Sequence, residues 1–154
     1  MYSPERQYVE QAAVAMEGMG MPRSWGKLLG WLLICDPPQQ SSAELAAALD
    51  LSAGSVSSGT RMLENAGLVR RVAAPGRRGK VYEMTDDAFL RATRSNQFTR
   101  FRELMEDGLG LIGDKAGPRA RRLCKTRDFY AFLEREIPAL FDRFEAEYGE
   151  GGNG

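Results

Sequence analysis

The stretch SAGSVSSGTR, residues 52–61, gathers four serine hydroxyls, one threonine hydroxyl and a guanidinium into ten positions. A second group, APGRRGK at 74–80, holds Arg77, Arg78 and Lys80 among glycines. Hydroxyls both donate and accept hydrogen bonds, and a guanidinium forks onto two acceptors at once. The chemistry these residues offer is recognition of a polar, anionic surface, with no bond made or broken. Serine and glycine are also weak helix formers. A helix built from them gives up intrinsic stability for a face of small polar groups.

Other chemistry is scarce. The chain has no histidine, and its two cysteines, Cys35 and Cys124, stand far apart. Ser-His-Asp and Cys-His nucleophile systems are therefore excluded, and the commonest metal ligand is missing. Two distant thiols make neither a zinc site nor a disulfide framework. Most acids fall at helical spacing among arginines, the pattern of a solvated face. A carboxylate pair distant in sequence is the one catalytic arrangement left open. The expectation is a protein that is not an enzyme and carries no cofactor and no metal.

Charge narrows the partner. The 21 cationic and 21 anionic side chains cancel, but residues 51–83 carry Arg61, Arg70, Arg71, Arg77, Arg78 and Lys80 against only Glu64 and Glu83. A basic segment in a neutral chain presents one face to an anionic partner. The longest apolar run, Leu28 to Cys35, falls well short of the ~20 residues that span a bilayer. The start, MYSPERQYVE, is polar and charged with no apolar segment behind it. The chain reads as one soluble, cytoplasmic domain with no membrane partner.

The elements that must position these groups follow from periodicity and punctuation. Tyr8, Val9, Ala12, Ala13 and Met16 mark an amphipathic helix over 4–17, broken by GMGMP. A second helix, about 22–35, ends at Asp36-Pro37-Pro38, and its Gly26 and Gly30 permit close approach of another helix. Ser41 and Glu44 match a capping box for a third helix. Ser52 caps the fourth, whose inward positions are Val56, Gly59 or Thr60, Leu63 and Ala66, and Gly67 ends it. Two β-like pieces, 68–73 and 80–85, flank the glycine-rich basic turn.

Thr85-Asp86-Asp87 opens a long helical region with Phe98, Phe101, Met105, Leu109 and Ile112 on one face, interrupted from Gly108 onward. In the last helix, about 119–148, Leu123, Thr126, Tyr130, Leu133, Ile137, Leu140 and Phe144 form a heptad seam. Pro138 should kink or split it. The final EGGNG reads as a disordered tail, 149–154.

Helix, turn, serine-rich helix, then a hairpin with a basic tip is the order of a winged helix-turn-helix. The fold class expected is mainly α with a small β-hairpin wing. A helix entering the DNA major groove needs small polar side chains so that its backbone can approach the base edges. Ser52, Ser55, Ser57 and Ser58 supply them, and Arg61 can fork onto guanine or phosphate.

The segments PRSWGKLLGWLLICDPPQQS, SAGSVSSGTRMLENAGLV and PGRRGKVYE resemble the glycine-betaine-synthesis-regulator branch of the MarR family of bacterial transcriptional regulators. The resemblance covers about residues 21–85. It implies a single MarR-like domain over 1–150: a DNA-binding part at about 36–85, and a helical dimerisation part at about 1–35 and 86–148. It further implies a homodimer on a pseudo-palindromic operator in double-stranded DNA. The dimer would act as a repressor, released by a small molecule bound between the dimerisation and DNA-binding parts. By position, Ser55, Ser57, Ser58 and Arg61 fall on the recognition helix, and Arg77, Arg78 and Lys80 on the wing. The MarR wing often holds an Asp-x-Arg element in which the acid orients the arginine. Here the tip is GRRGK, with no acid, which implies mobile arginines and less base-specific wing contacts.

Competing readings attach to the same residues. Trp25, Trp31, Phe98, Phe101 and Tyr130 could receive an effector, including a quaternary ammonium group, or could simply be core. Cys124, beside Arg121, Arg122 and Lys125, offers a redox-sensing alternative; Cys35 follows WLLI and reads as buried. A winged helix can also serve as a protein-interaction module without DNA.

Overall fold

The computed structural model describes residues 3–149 apart from 75, 78 and 89–96. Arg78, the tail beyond 149 and positions 89–96, which the sequence places in a long helical region, lie outside the described residues. The chain forms two compact units, residues 1–92 and 93–154.

The first unit runs α1 (Ser3–Gly18), α2 (Arg23–Ile34), β1 (Gln40–Ser41), α3 (Ser42–Leu49), α4 (Ala53–Asn65), β2 (Val69–Ala73) and β3 (Lys80–Met84). It is a winged helix-turn-helix: helices with a small antiparallel sheet of order β1-β3-β2. The helix boundaries lie where the sequence puts its stop signals. Ser41 and Glu44 close a reciprocal capping box on α3. Asp50 ends α3 with φ of 52°, a left-handed conformation that aspartate tolerates better than most residues. Ser52 caps α4, and Gly67, with φ of 78°, follows its end.

Helix α2 is the post of this unit. A Cβ on Gly26 would lie 2.6 Å from the Ala12 carbonyl oxygen and the Ala13 Cα, so α1 crosses at backbone contact. A Cβ on Gly30 would meet the Ala12 Cβ at 2.6 Å. From α4, a Cβ on Gly59 would meet Leu28 Cδ1 at 2.2 Å and Trp25 Cδ1 at 3.2 Å. Around these crossings Leu28, Leu32, Leu45, Leu49, Val56, Leu63, Val69 and Tyr82 make one buried cluster.

The sheet adds a strand beyond the expected hairpin. Ser41 pairs with Val81 and Gln40 with Tyr82, while β2 and β3 run from Val69↔Met84 to Ala73↔Lys80. Two residues are too few to show strand alternation in a sequence. Thr85 donates its hydroxyl to the Gly67 carbonyl at 2.9 Å, closing the hairpin base, and its own carbonyl accepts the N–H of Ala88, which is helical, at 3.1 Å.

In the second unit α5 (Gln97–Leu111) and α6 (Pro118–Tyr148) pack against each other. Gly108 and Gly110 do not interrupt α5. A Cβ on Gly108 would lie 3.2 Å from both methyls of Leu123, so this glycine is where α6 comes close. Helix α6 is also not split at Pro138. The Glu134 backbone carbonyl loses its donor at Pro138, and with Pro138 exposed water can donate to it instead. Arg102 bridges the two helices, donating to Glu134 at 2.6 Å and pairing with Glu106 at 2.8 Å. Yet Ala120 is the only buried residue in α6, and Leu140, Phe144 and Tyr148 stand 54%, 53% and 71% exposed. Among the described residues no helix is long and apolar enough to cross a membrane.

Gly26→Ala should lower stability by about 1–3 kcal/mol, because overpacking against backbone outweighs the helix preference of alanine, worth about 1 kcal/mol. Gly110→Ala, with nothing within 4 Å of the new Cβ, should instead raise it by up to about 1 kcal/mol. Urea unfolding of the two variants checks the opposite signs.

Candidate nucleic-acid interface

Helix α4 divides its residues cleanly. Val56, Gly59, Thr60 and Leu63 are buried, while Gly54, Ser57, Ser58 and Arg61 are exposed. Thr60 turns its hydroxyl onto the Val56 carbonyl at 2.8 Å, which satisfies it inside the core. The first turn is held by two serines. Ser52 accepts from the Ser55 backbone N–H at 3.1 Å and donates to the Ser55 hydroxyl at 3.0 Å. Ser57, Ser58 and Arg61 thus make the outward surface, with Ser52 and Ser55 already engaged at its N-terminal edge. Met62 and Asn65 are also exposed at the end of this helix, a breadth that its hydroxyl pattern alone does not reveal.

The basic residues beside α4 are mostly braced. Arg71 Nε lies 2.9 and 2.8 Å from the two Glu64 oxygens, tying β2 to α4. Arg70 pairs with its cross-strand neighbour Glu83 at 2.7 Å, and Gln39 donates to the other oxygen of Glu83 at 3.0 Å. Arg77 reaches Glu44 in the first turn of α3 at 2.5 Å. The acid missing from the wing itself is supplied by α3, where Glu44 is the partner of Arg77. Arg61 and Lys80 have no ion pair among the described residues and are exposed. These carboxylates respond to their partners. Glu44 is held down to about 2, first by Arg77 and then by the Ser41 backbone N–H. Glu83 is lowered by Gln39 and then Arg70.

The residues considered for an effector fall into two sets. In the first unit Trp31 donates its indole N–H to Gln40 at 3.3 Å, and Trp25 packs beside Gly59. In the second, Phe101 stacks on Tyr130 with ring centres 5.1 Å apart, and Phe98 stands 6.3 Å from Tyr130. Cys35 is buried, which pushes its thiol up and away from the reactive thiolate. Cys124 is half-buried. Among the described residues no three acids or thiols gather as a metal site.

A capped, hydroxyl-rich helix held beside an antiparallel basic hairpin defines the winged helix-turn-helix class. Comparison with known proteins carries the assignment to a family. A family model described as the MmpR5-like MarR family transcriptional regulator matches residues 87–147. The HTH-type transcriptional regulator MmpR5 of Mycobacterium tuberculosis is 36% identical over 146 residues, covering 94% of this chain and 88% of its own. A crystal structure described as a transcriptional regulator matches with a TM-score of 0.85 at 36% identity, covering 93% of this chain and 99% of that one. The chain belongs to the MmpR5-like MarR family of DNA-binding transcriptional regulators. The family model falls mostly on the second unit, outside the segment 21–85 that carries the sequence resemblance.

The Glu44 pairing predicts a pH effect. Its carboxyl sits below the ordinary 4.5 in the folded chain, so its stabilising contribution is complete above that value and fades as pH falls toward about 2. Wild type should therefore lose more stability between pH 5 and pH 2 than Glu44→Gln does. Equal losses in urea unfolding across that range would contradict the pairing.

Proposed function

We propose that the protein is a dimeric, sequence-specific repressor that reads a pseudo-palindromic operator with α4 in the major groove. The observation that carries this is the outward face of α4: Ser57, Ser58 and Arg61 are exposed, and Arg61 alone among the described arginines of 51–83 lacks a carboxylate partner. An unpaired guanidinium among short hydroxyls is free to fork onto a guanine edge or a phosphate. Ser52 and Ser55 lie at the end of the helix nearest the backbone of the duplex in this reading, and Arg77, Arg78 and Lys80 reach phosphates or the adjacent minor groove.

Dimerisation is supported by the second unit, which leaves Phe129, Phe132, Leu140, Phe144 and Tyr148 exposed. A 31-residue helix with one buried residue lacks a core of its own, and exposed apolar area of that kind marks a surface made to be covered. A second copy of the chain is the partner that family membership favours. Release by a small-molecule effector completes the reading, with Phe98, Phe101 and Tyr130 as its aromatic contacts. Trp25 and Trp31 stay in the effector set as residues that also pack the first unit. The glycine-betaine-synthesis-regulator branch rests on the segment PRSWGKLLGWLLICDPPQQS and enters only as a source of candidate effectors, quaternary ammonium compounds among them. Acting on DNA, the protein works in the cytoplasm and performs no catalysis.

Binding titrations test the division of labour. The probes are a duplex enriched from a random library by the wild-type protein and a scrambled duplex of the same composition. Arg61→Ala should cost about 1–3 kcal/mol on the enriched duplex and little on the scrambled one. Lys80→Ala should weaken both alike and lower the salt slope by about 0.9 for each phosphate no longer neutralised. Equal binding of every variant to every duplex would leave protein interaction as the better reading. In sedimentation, wild type should travel at twice the chain mass and Phe144→Glu at the chain mass.

A further inference from the structure

We propose that Glu44 is a positioning residue for DNA binding: from the first turn of α3, it holds the wing arginine Arg77 in the geometry that meets the phosphate backbone. The proposal rests on the DNA-binding reading above and assigns Glu44 a role beyond its capping box.

The geometry makes a closed circuit. The Oε2 atom of Glu44 accepts the Ser41 backbone N–H at 2.7 Å and meets Arg77 Nη2 at 2.5 Å. Ser41 reciprocates, its hydroxyl accepting the Glu44 N–H at 3.2 Å. Ser41 is also in β1, paired with Val81, one residue from Lys80, where β3 leaves the wing loop. At the tip the Ala74 carbonyl accepts the Arg77 N–H at 3.1 Å, and Gly76 takes φ of 73° to make that turn. The wing is thus tied to α3 along β3 through β1, and at the loop through Glu44. A guanidinium has five N–H donors, so engaging Nη2 leaves the others for a phosphate.

Two physical effects of Glu44 on DNA binding have opposite signs, and that makes the role testable. As a negative charge near a polyanion, Glu44 repels DNA, and its removal should tighten binding. As a clamp, it removes the rotamer freedom that a long arginine would otherwise lose on binding, so its removal should weaken binding. The circuit through Ser41 and Arg77 favours the second effect.

Glu44→Gln separates them, because glutamine at this position still completes a capping box and α3 should remain folded. Wild type, Glu44→Gln, Arg77→Ala and the double variant are titrated by fluorescence anisotropy against the duplex enriched by wild type, with circular dichroism to confirm equal folding. Glu44→Gln should bind about five- to tenfold more weakly than wild type. It should cause no further loss in the Arg77→Ala background, because its effect runs through that side chain. Binding by Glu44→Gln as tight as wild type or tighter would overturn the proposal, as would an equal loss with and without Arg77. If wild type enriches no sequence and binds no duplex, the DNA-binding reading itself falls, and the proposal with it.

Discussion

Everything that α4 presents to solvent depends on what Gly59 omits. With no side chain there, α4 settles directly onto Leu28 and Trp25 of α2, and any Cβ would press into a fully buried leucine. The same device works on the other face of α2, where Gly26 brings α1 to backbone contact at Ala12 and Ala13 and Gly30 makes room for the Ala12 Cβ. Three glycines in helices sacrifice intrinsic helix preference at each position. In return, close packing fixes three helices at once. Helix α4 can then be weak in propensity and polar outside, because its place is set by Val56, Gly59 and Leu63 from inside.

Electrostatics complete that division. A neutral chain with a basic segment could simply be sticky, but here most of the described arginines near α4 are tied down. Arg71 braces β2 to α4, Arg70 braces the two long strands, and Arg77 braces the wing to α3. Exposed ion pairs add little to stability individually. Their effect is geometric: they set where each guanidinium points. Arg61 is left without such a partner among the described residues, on the exposed face of α4.

Legibility from the sequence followed the range of the interaction. Ser41 with Glu44, Ser52 with Ser55 and Gly67 are local, and each end they marked is an end in the structure. The inward set of α4 was largely legible too: helical period puts Val56, Gly59 or Thr60, Leu63 and Ala66 on one side. In the structure both Gly59 and Thr60 are buried with Val56 and Leu63, while Ala66 is half-buried. Pairings between distant positions were not. Glu44 and Arg77 are 33 positions apart in the sequence, and no composition rule joins a capping acid to a wing. Strand β1 is too short to alternate. Gly108 looked like a helix breaker because its reason for being glycine, Leu123, lies on another helix. Pro138 looked like a break because sequence rules count the lost hydrogen bond and not the water available at an exposed site.

Central to the proposed function is that α4 reads base edges in the major groove. Methylation interference on the duplex enriched by the wild-type protein tests it most directly, since dimethyl sulfate modifies guanine N7 in the major groove and adenine N3 in the minor groove. Interference is expected at guanine N7 in two clusters about one helical turn, roughly 10 base pairs, apart. Interference confined to adenine N3, or none at any base, would contradict it.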